Sequence, residues 1–174
     1  LPERVVAATL ALEDKRFWEH PGVDGLAVMR AAWRAIRDGR ARSGASTVAM
    51  QVARMQHPAP RNLWNKLVEA GAAIWLTQRH GRDAVLRHYL RIAPYGNGSH
   101  GIAHAARWYF DKPTADLSWA EVAFLAAIPQ APGRMNPYRL EGRRAIVRRG
   151  TRLLGLLAAR GVIGAEERRS AEMQ

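Results

Sequence analysis

The sequence contains no cysteine at any of its 174 positions. Disulfide bonds, thiolate nucleophiles and zinc sites built on cysteine are therefore excluded, whereas the compartment stays open. No apolar run approaches the roughly 18 residues that a membrane-spanning helix requires, and no signal-peptide pattern is present. The chain begins with Leu rather than Met. We expect it to be a domain excised from a longer protein, with any membrane anchor outside these residues.

Acidic residues are scarce relative to basic ones. The chain has 15 Asp and Glu against 27 Lys and Arg, of which 24 are Arg, and its formal net charge is +12. Arginine keeps its charge in every environment and binds carboxylates or phosphates through paired hydrogen bonds. The balance predicts an anionic partner, and nucleic acid, an anionic membrane and a phosphorylated substrate all fit it; a merely solvated basic surface fits it too.

The distribution of apolar residues predicts an all-α fold. Apolar positions recur at helical spacing nearly throughout, and no run of alternating β-branched residues indicates a strand. The length suits a single domain over residues 1–174 with a core of its own. Asp24 is predicted to cap a second helix, which ends near Gly39. Its apolar stripe comprises Leu26, Met29, Trp33 and Ile36.

The later helices are indicated by their caps and breakers. Asn62 is predicted to begin a long helix that Gly81 ends, and Asp83 to cap the next one. The inward face of the long helix is predicted to hold Leu63, Leu67, Ala70 and Ile74. Residues 94–101 are rich in Gly and turn formers and predict a loop between two helices.

Two further helices are predicted in the last third of the chain. Ser118 and Glu121 form a capping box at the start of an apolar run that we expect to be the buried central helix. A last helix over about residues 141–160 combines an apolar face with a charged one. The apolar face carries Ile146, Leu153 and Leu157, and the charged face carries Arg144, Arg148 and Arg152. That charged face is expected to be solvated or to meet phosphates.

Three clusters could carry chemistry, and each has an ordinary structural interpretation. Glu13 and Asp14 are adjacent carboxylates near aromatic residues and a histidine, which suits acid–base work but also a solvated helix. Ser46 and Thr47 open a helix after Gly44, which suits either anion binding or simple N-capping. The segment 61–69 places Arg61, Lys66 and Glu69 on neighbouring turns, as an ordinary ion pair also would.

In this order the clusters resemble the motifs of the family 51 glycosyltransferases, the peptidoglycan glycosyltransferase domains of class A penicillin-binding proteins and of monofunctional relatives, and look most like the 1C branch. The first motif is matched by Glu13, Asp14, Phe17, His20 and Gly22. The second is matched by GASTVAMQVAR at 44–54, and the third by Arg61, Lys66 and Glu69. The fourth is partly matched at 89–96, and the fifth at 120–139. The resemblance covers most of the chain.

Three positions depart from the family pattern. Ala49 stands where Thr or Ser is usual, Arg87 where Glu is frequent, and Arg91 where Asn is usual. These changes remove one hydroxyl and place cations at two positions of the fourth motif. None affects the two expected catalytic carboxylates.

The resemblance implies a lysozyme-like helical fold with a small membrane-facing subdomain, and polymerisation of lipid II into glycan strands with inversion at the anomeric carbon. It implies that Glu13 is the general base and that Glu69 orients cations or assists departure of the leaving group. Asp14, Phe17 and His20 would shape the site. The pyrophosphate would be bound by Ser46, Thr47, Gln51, Arg54, Arg61 and Lys66.

The resemblance also implies the surroundings of the domain. The expected partners are lipid II, the growing strand, the bacterial membrane surface and inhibitors of the moenomycin type, with no nucleic acid. A divalent cation, Mg or Mn, would be bridged by the substrate, since no dedicated metal cage is evident. The location would be the periplasmic or extracytoplasmic face of the inner membrane. Candidate membrane contacts are Trp33, Ile36, Met55 and Trp64, although we expect Trp33 in the core and leave Trp64 open.

Three other functions compete with this prediction. A lytic enzyme with a lysozyme-like fold can also use one acidic residue on glycans. A non-catalytic, glycan-binding member of the family fits the departures at Ala49, Arg87 and Arg91. A basic helical module that binds nucleic acid fits the charge but leaves the three best-matched motifs unexplained.

Overall fold

The structure is a computed structural model that describes residues 1–38 and 45–174. The predicted end of the second helix near Gly39 and the Gly44 position of the second motif lie outside the described residues. The helices are α1 (Glu3–Glu13), α2 (Gly25–Asp38), α3 (Val48–Gln56), α4 (Leu63–His80), α5 (Arg82–Ile92), α6 (Ile102–Phe110), α7 (Trp119–Ala127), α8 (Leu140–Ala159) and α9 (Ala165–Glu172).

The all-α prediction is confirmed. Over residues 1–38 and 45–174 the regular structure is helical, and the one extended pairing is an isolated bridge between Pro94 and His100. None of the helices in these ranges has both the length and the apolar character needed to span a bilayer. The chain divides into two compact units, one formed by Leu1–Leu12 with Leu90–Gln174 and the other by Glu13–Tyr89.

The unit Leu1–Leu12 with Leu90–Gln174 is built around α7. This helix is apolar nearly all round and its side chains from Val122 to Ala127 are mostly buried, as predicted for the central helix. The Ser118 capping box is present, with the Ser118 hydroxyl accepting from the Glu121 N–H. On α8, the predicted apolar face at Ile146, Leu153 and Leu157 is buried. The loop at 94–101 joins α5 to α6 as predicted.

The unit Glu13–Tyr89 is built on the packing of α3 against α4. Thr47 caps α3 by accepting from the Met50 N–H, and Asn62 caps α4 by accepting from the Asn65 N–H. Pro58 and Pro60 separate these helices because neither can donate a backbone hydrogen bond. Gly81 ends α4 with a positive φ of 79°, which glycine adopts without steric cost.

The predicted inward face of α4 is wrong at Leu63 and Leu67, whereas its other two residues, Ala70 and Ile74, are partly buried. Leu63 is 75% exposed and Leu67 is 59% exposed, whereas Ala73 and Thr77 are buried. Small residues are on the buried face because the backbone of the chain at Gly22 lies directly against the backbone of α4 at Ala73. The expectation that Asp83 caps α5 is also wrong, since α5 begins at Arg82 and places Asp83 within its first turn.

The expectation that Trp33 lies in the core is wrong as well. Trp33 is 67% exposed and Ile36 is 80% exposed, and α2 has no buried residue. Trp64, which the sequence left open, is 72% exposed. The apolar stripe of α2 has the spacing of a core-facing helix, but within the part of the chain that the structure describes it faces outward. Periodicity identifies an apolar face but not what covers it.

Candidate active site

The two adjacent carboxylates lie at the point where α1 ends. Glu13 is the last residue of α1, and Asp14 begins a tight turn in which the Phe17 N–H donates to the Asp14 carbonyl. Consecutive residues of a helix project about 100° apart around its axis, so the two side chains diverge. Glu13 is partly accessible, whereas Asp14 and Phe17 are buried. The Glu13 carboxylate thus lies near the surface, and the Asp14 carboxylate lies in the interior.

Glu13 is held by a residue of the second motif. The side-chain amide of Gln51 donates to Glu13 Oε2 across 3.0 Å in a partly buried setting. Gln51 lies in the first turn of α3, and α3 is fixed by burial of Val48, Ala49, Met50, Val52 and Ala53. The amide that bonds to the Glu13 carboxylate is therefore presented by a rigid helix.

Asp14 joins the same two segments inside the protein. Its Oδ2 accepts from the Val48 N–H at 3.0 Å, and its Oδ1 lies 2.9 Å from Nε2 of the buried His20. The Gly22 N–H donates to His20 Nδ1, so the proton of the neutral ring is on Nε2 and is donated to Asp14. Burial raises the pKa of Asp14 above its usual value, and the bonds from His20 and Val48 oppose that rise.

Gly22 links the first motif to the helix that carries the third. A Cβ placed on Gly22 would lie 2.4 Å from the Ala73 carbonyl oxygen of α4, and its φ is 116°. The Thr47 hydroxyl donates to the Gly22 carbonyl at 2.6 Å, so α3 holds the same residue. Lys66 is two turns before Ala73 and Glu69 is one turn before it, about 10 Å and 6 Å along the axis. Both therefore project near the face of α4 that meets Gly22.

The predicted cations are accessible side chains of the same unit. Arg61 and Lys66 are exposed, and Arg54 and Glu69 are partly exposed. None of these four side chains forms an ion pair with another residue in the described ranges. Arg54 is one turn from Gln51 on α3, and Ser46 is partly exposed just before the Thr47 cap. The ordinary interpretation of segment 61–69, an ion pair between neighbouring turns, is therefore not borne out among the described residues.

Two supporting residues carry no signal in the sequence motifs. The Arg82 guanidinium donates through Nε to the His20 carbonyl at 3.1 Å. Asp24, predicted only as a helix cap, accepts from the Ala27 N–H and also from Arg16 at 3.1 Å. Burial would raise the pKa of Asp24, but the Ala27 amide together with Arg16 and Arg30 lowers it below its usual value. These contacts fix the turn after Asp14.

No cage for a metal ion is found among the described side chains. Over residues 1–38 and 45–174, no group of three or more His, Asp or Glu lies close enough to bind one. Beside Glu13, the side chain of Gln51 presents its amide N–H to the carboxylate at 3.0 Å.

The sequence profile described as Transglycosylase matches residues 1–156. This chain belongs to the transglycosylase family. It is 38% identical to penicillin-binding protein 1C of Escherichia coli K12 over 164 residues, which cover 94% of the chain and 21% of that relative. It is 37% identical to penicillin-binding protein 1F of Bacillus subtilis 168, covering 99% of the chain and 24% of that relative.

Penicillin-binding protein 1A of Aquifex aeolicus is 37% identical to the chain over 158 residues, which cover 90% of the chain and 22% of that relative. The chain thus spans about a fifth to a quarter of the length of these curated relatives. The transglycosylase match includes every predicted site residue, from Glu13 to Glu69, as well as α7 and most of α8.

Proposed function

We propose that this transglycosylase domain is a peptidoglycan glycosyltransferase that polymerises lipid II into glycan strands with inversion at the anomeric carbon. The observation that carries the proposal is the partly accessible carboxylate of Glu13, oriented by Gln51 at 3.0 Å beside the buried Asp14 pair. The names of the relatives and the transglycosylase profile support the same activity.

Glu13 acts as the general base. It accepts the proton of the acceptor sugar's 4-hydroxyl while that oxygen attacks the anomeric carbon of the donor, and one displacement inverts the configuration. The bond to the pyrophosphate oxygen breaks in the same step, and no covalent enzyme intermediate forms. A base must be held within hydrogen-bond reach of the proton that it takes, and the Gln51 amide supplies that orientation.

The remaining requirement is stabilisation of the departing pyrophosphate. This leaving group needs neutralisation of negative charge more than it needs a proton. Lys66, Arg54 and Arg61, which are accessible on the same unit, provide that charge, and guanidinium groups bind phosphate through two parallel hydrogen bonds. Glu69 orients these cations. Ser46 adds a hydrogen bond.

The buried motif residues support the site rather than touch substrate. The hydroxyl of Thr47 is already engaged by the Gly22 carbonyl and the Met50 N–H. Asp14 and His20 are likewise engaged with each other and with backbone amides. Their part in the reaction is to hold Glu13 and Gln51 in their relative positions. Phe17 packs edge-on to His20 and encloses this pair.

A divalent cation would take its ligands mainly from the substrate. Mg²⁺ and Mn²⁺ prefer oxygen ligands, and Mg²⁺ commonly binds through one or two carboxylates together with phosphate oxygens. The cation supplies additional neutralisation of the pyrophosphate when bound. The described side chains contribute no cage, and Glu13 and Glu69 are the carboxylates of the first and third motifs that are partly accessible for such a shared site.

The exposed apolar side chains of the same unit are suited to the membrane from which a lipid-linked substrate is taken. Those of α2 are Leu26, Val28, Met29, Trp33 and Ile36, and those of α4 are Leu63, Trp64, Leu67, Val68 and Trp75. Exposed apolar surface of this extent marks a docking surface. Arginines adjoin the α2 stripe at Arg30, Arg34 and Arg37, as in helices that lie in a bilayer interface.

The decisive experiment is a lipid II polymerisation assay with the purified domain, with and without moenomycin. Glu13→Gln should lower turnover by roughly 10²- to 10⁴-fold, the range typical of a removed general base. The matched control is Glu19→Gln, whose carboxylate is 62% exposed in the same segment and should leave turnover nearly unchanged. Thermal unfolding should be similar for both variants, because Gln at position 13 still offers an oxygen to Gln51.

The products distinguish the competing functions. Longer strands with the inverted anomeric configuration, detected by NMR, support polymerisation, whereas release of muropeptides from purified sacculi identifies a lytic enzyme. Near-normal polymerisation by Glu13→Gln refutes the assignment of the base. Lys66→Ala should raise KM and Glu69→Gln should lower turnover; unchanged kinetics in either case removes that residue from the site.

A further inference from the structure

The outer face of α8 is a second charged surface, separate from the residues assigned above. This α8 outer face consists of Leu140, Arg144, Val147, Arg148, Thr151 and Arg152, all exposed. The opposite side of the helix is buried through Ile146, Gly150, Leu153 and Leu157. The helix is therefore fixed by its inner side, and its outer face is not required for packing.

Two of the three arginines of this face, Arg148 and Arg152, form no ion pair within residues 1–38 and 45–174, and Arg144 forms a long one. Arg144, Arg148 and Arg152 follow one another at four-residue spacing, so their side chains adjoin on the helix surface. The nearest ion pair is between Arg144 and Glu141, at 3.8 Å and with the Glu141 side chain 88% exposed. Adjoining like charges weaken a helix, so this row does not serve the stability of α8.

Apolar side chains share the face with the arginines. Leu140 is 65% exposed and Val147 is 51% exposed. They are two turns apart on the same side of the helix, beside the arginine row. Tyr138, just before the helix, is 68% exposed. A nucleic-acid backbone would satisfy the arginines but would offer nothing to Leu140 and Val147. The headgroup region of a bilayer accommodates both, because arginine side chains extend to phosphates while apolar neighbours enter the acyl boundary.

We propose that the α8 outer face binds the phosphate headgroups of an anionic phospholipid surface. Guanidinium groups match phosphate oxygens with two hydrogen bonds, which makes arginine better suited than lysine to this contact. This lipid binding goes beyond the proposed glycosyltransferase activity and can be measured without the glycosyltransferase substrate. Its success or failure is therefore independent of whether the domain polymerises lipid II.

The test is partition of the purified protein onto vesicles of phosphatidylglycerol and phosphatidylcholine, followed by sedimentation. Each arginine near an anionic leaflet strengthens binding about five-fold. Changing Arg144, Arg148 and Arg152 to Gln should therefore lower the partition coefficient by roughly 100-fold, and by at least 10-fold. The control variant changes three exposed arginines outside this face to Gln: Arg87, Arg107 and Arg169. It carries the same net charge and should lose less than about three-fold.

Further outcomes separate the possible partners. Changing Leu140 and Val147 to Ser should lower partition several-fold even in high salt, because apolar contacts are not screened. Equal losses of vesicle binding in the α8 variant and the control variant would overturn the proposal, because binding would then depend on the net charge of the protein and not on this face. A loss of binding to duplex DNA by the α8 variant, with unchanged vesicle binding, would overturn it in favour of nucleic acid.

Discussion

Replacement of Gly22 by Ala tests whether the first motif positions α4, the helix that carries Lys66 and Glu69 of the third motif. The added Cβ would lie 2.4 Å from the Ala73 carbonyl oxygen, 2.7 Å from the Ala73 carbonyl carbon and 2.9 Å from the Ile74 nitrogen. All three are backbone atoms of α4, so no side-chain rotation can relieve the contact. Either α4 or the turn around Gly22 must move.

The magnitude follows from two separate effects. A non-glycine residue at φ 116° costs about 1–3 kcal/mol of backbone strain. Overpacking against a fixed neighbour typically costs a further 1–3 kcal/mol or so. The free energy of unfolding should therefore fall by about 2–6 kcal/mol, a large part of the ~5–15 kcal/mol that native proteins possess.

The assay is urea unfolding followed by circular dichroism, with Gly71→Ala as the matched control. Gly71 lies in the same helix, and a Cβ there would meet nothing within 4 Å. Alanine at this position should stabilise the helix by roughly 0.5–1 kcal/mol. The two glycine-to-alanine changes thus have opposite expected signs. If Gly22→Ala changes stability by less than about 1 kcal/mol, the close approach to α4 is not a constraint, and the argument that places Lys66 and Glu69 by this contact fails.

Three further predictions concern the same unit. Asp14→Ala leaves the N–H groups of His20 and Val48 buried without their acceptor and should cost about 2–5 kcal/mol in urea unfolding; a cost below about 1 kcal/mol would show that these groups find other partners. The lowered pKa of Asp24 means that its carboxylate stabilises the fold above the usual aspartate pKa, and that this contribution is lost as pH falls through the lowered value. Asp24→Asn should therefore reduce the melting temperature at pH 7 but not in strong acid. A difference in melting temperature that does not depend on pH contradicts this. Trp33→Ser should lower partition onto vesicles about ten-fold or more. The control is Trp108→Ser in the other unit, where the tryptophan is 54% exposed, and it should not lower partition. Equal effects of the two changes would exclude a specific contact by α2.

Much of the helical framework follows from local signals in the sequence. Asn62, Gly81 and Ser118 each mark a helix end correctly, because a cap depends on the residue itself and its neighbours within three or four positions. The buried α7 was predictable because it is apolar on nearly every side and therefore has no alternative exposed face.

The faces of α2 and α4 could not be assigned from the same signals. A stripe of large apolar residues indicates a face that avoids water, but a membrane or a partner satisfies that stripe as well as a protein core does. On α4 the buried face is the one with small residues, since Gly22 brings two backbones together at Ala73. Close backbone contact is a tertiary property, and a few alanines are its only periodic signal in the sequence of α4.

The site was predicted by motif resemblance, and the structure supplies a physical reason for the order of the two carboxylates. Glu13 and Asp14 are neighbours in sequence, yet Glu13 meets a side-chain amide in a partly accessible position while Asp14 meets His20 and a backbone amide in the interior. Burial raises the pKa of Asp14, so its position is less suited to a group that must be ionised before each turnover. A base requires access to substrate, and a residue that joins α3 to the turn requires the opposite. Exchange of the two residues would place the longer side chain where the interior is filled and the shorter one where reach is needed, and it should remove activity as completely as Glu13→Gln does.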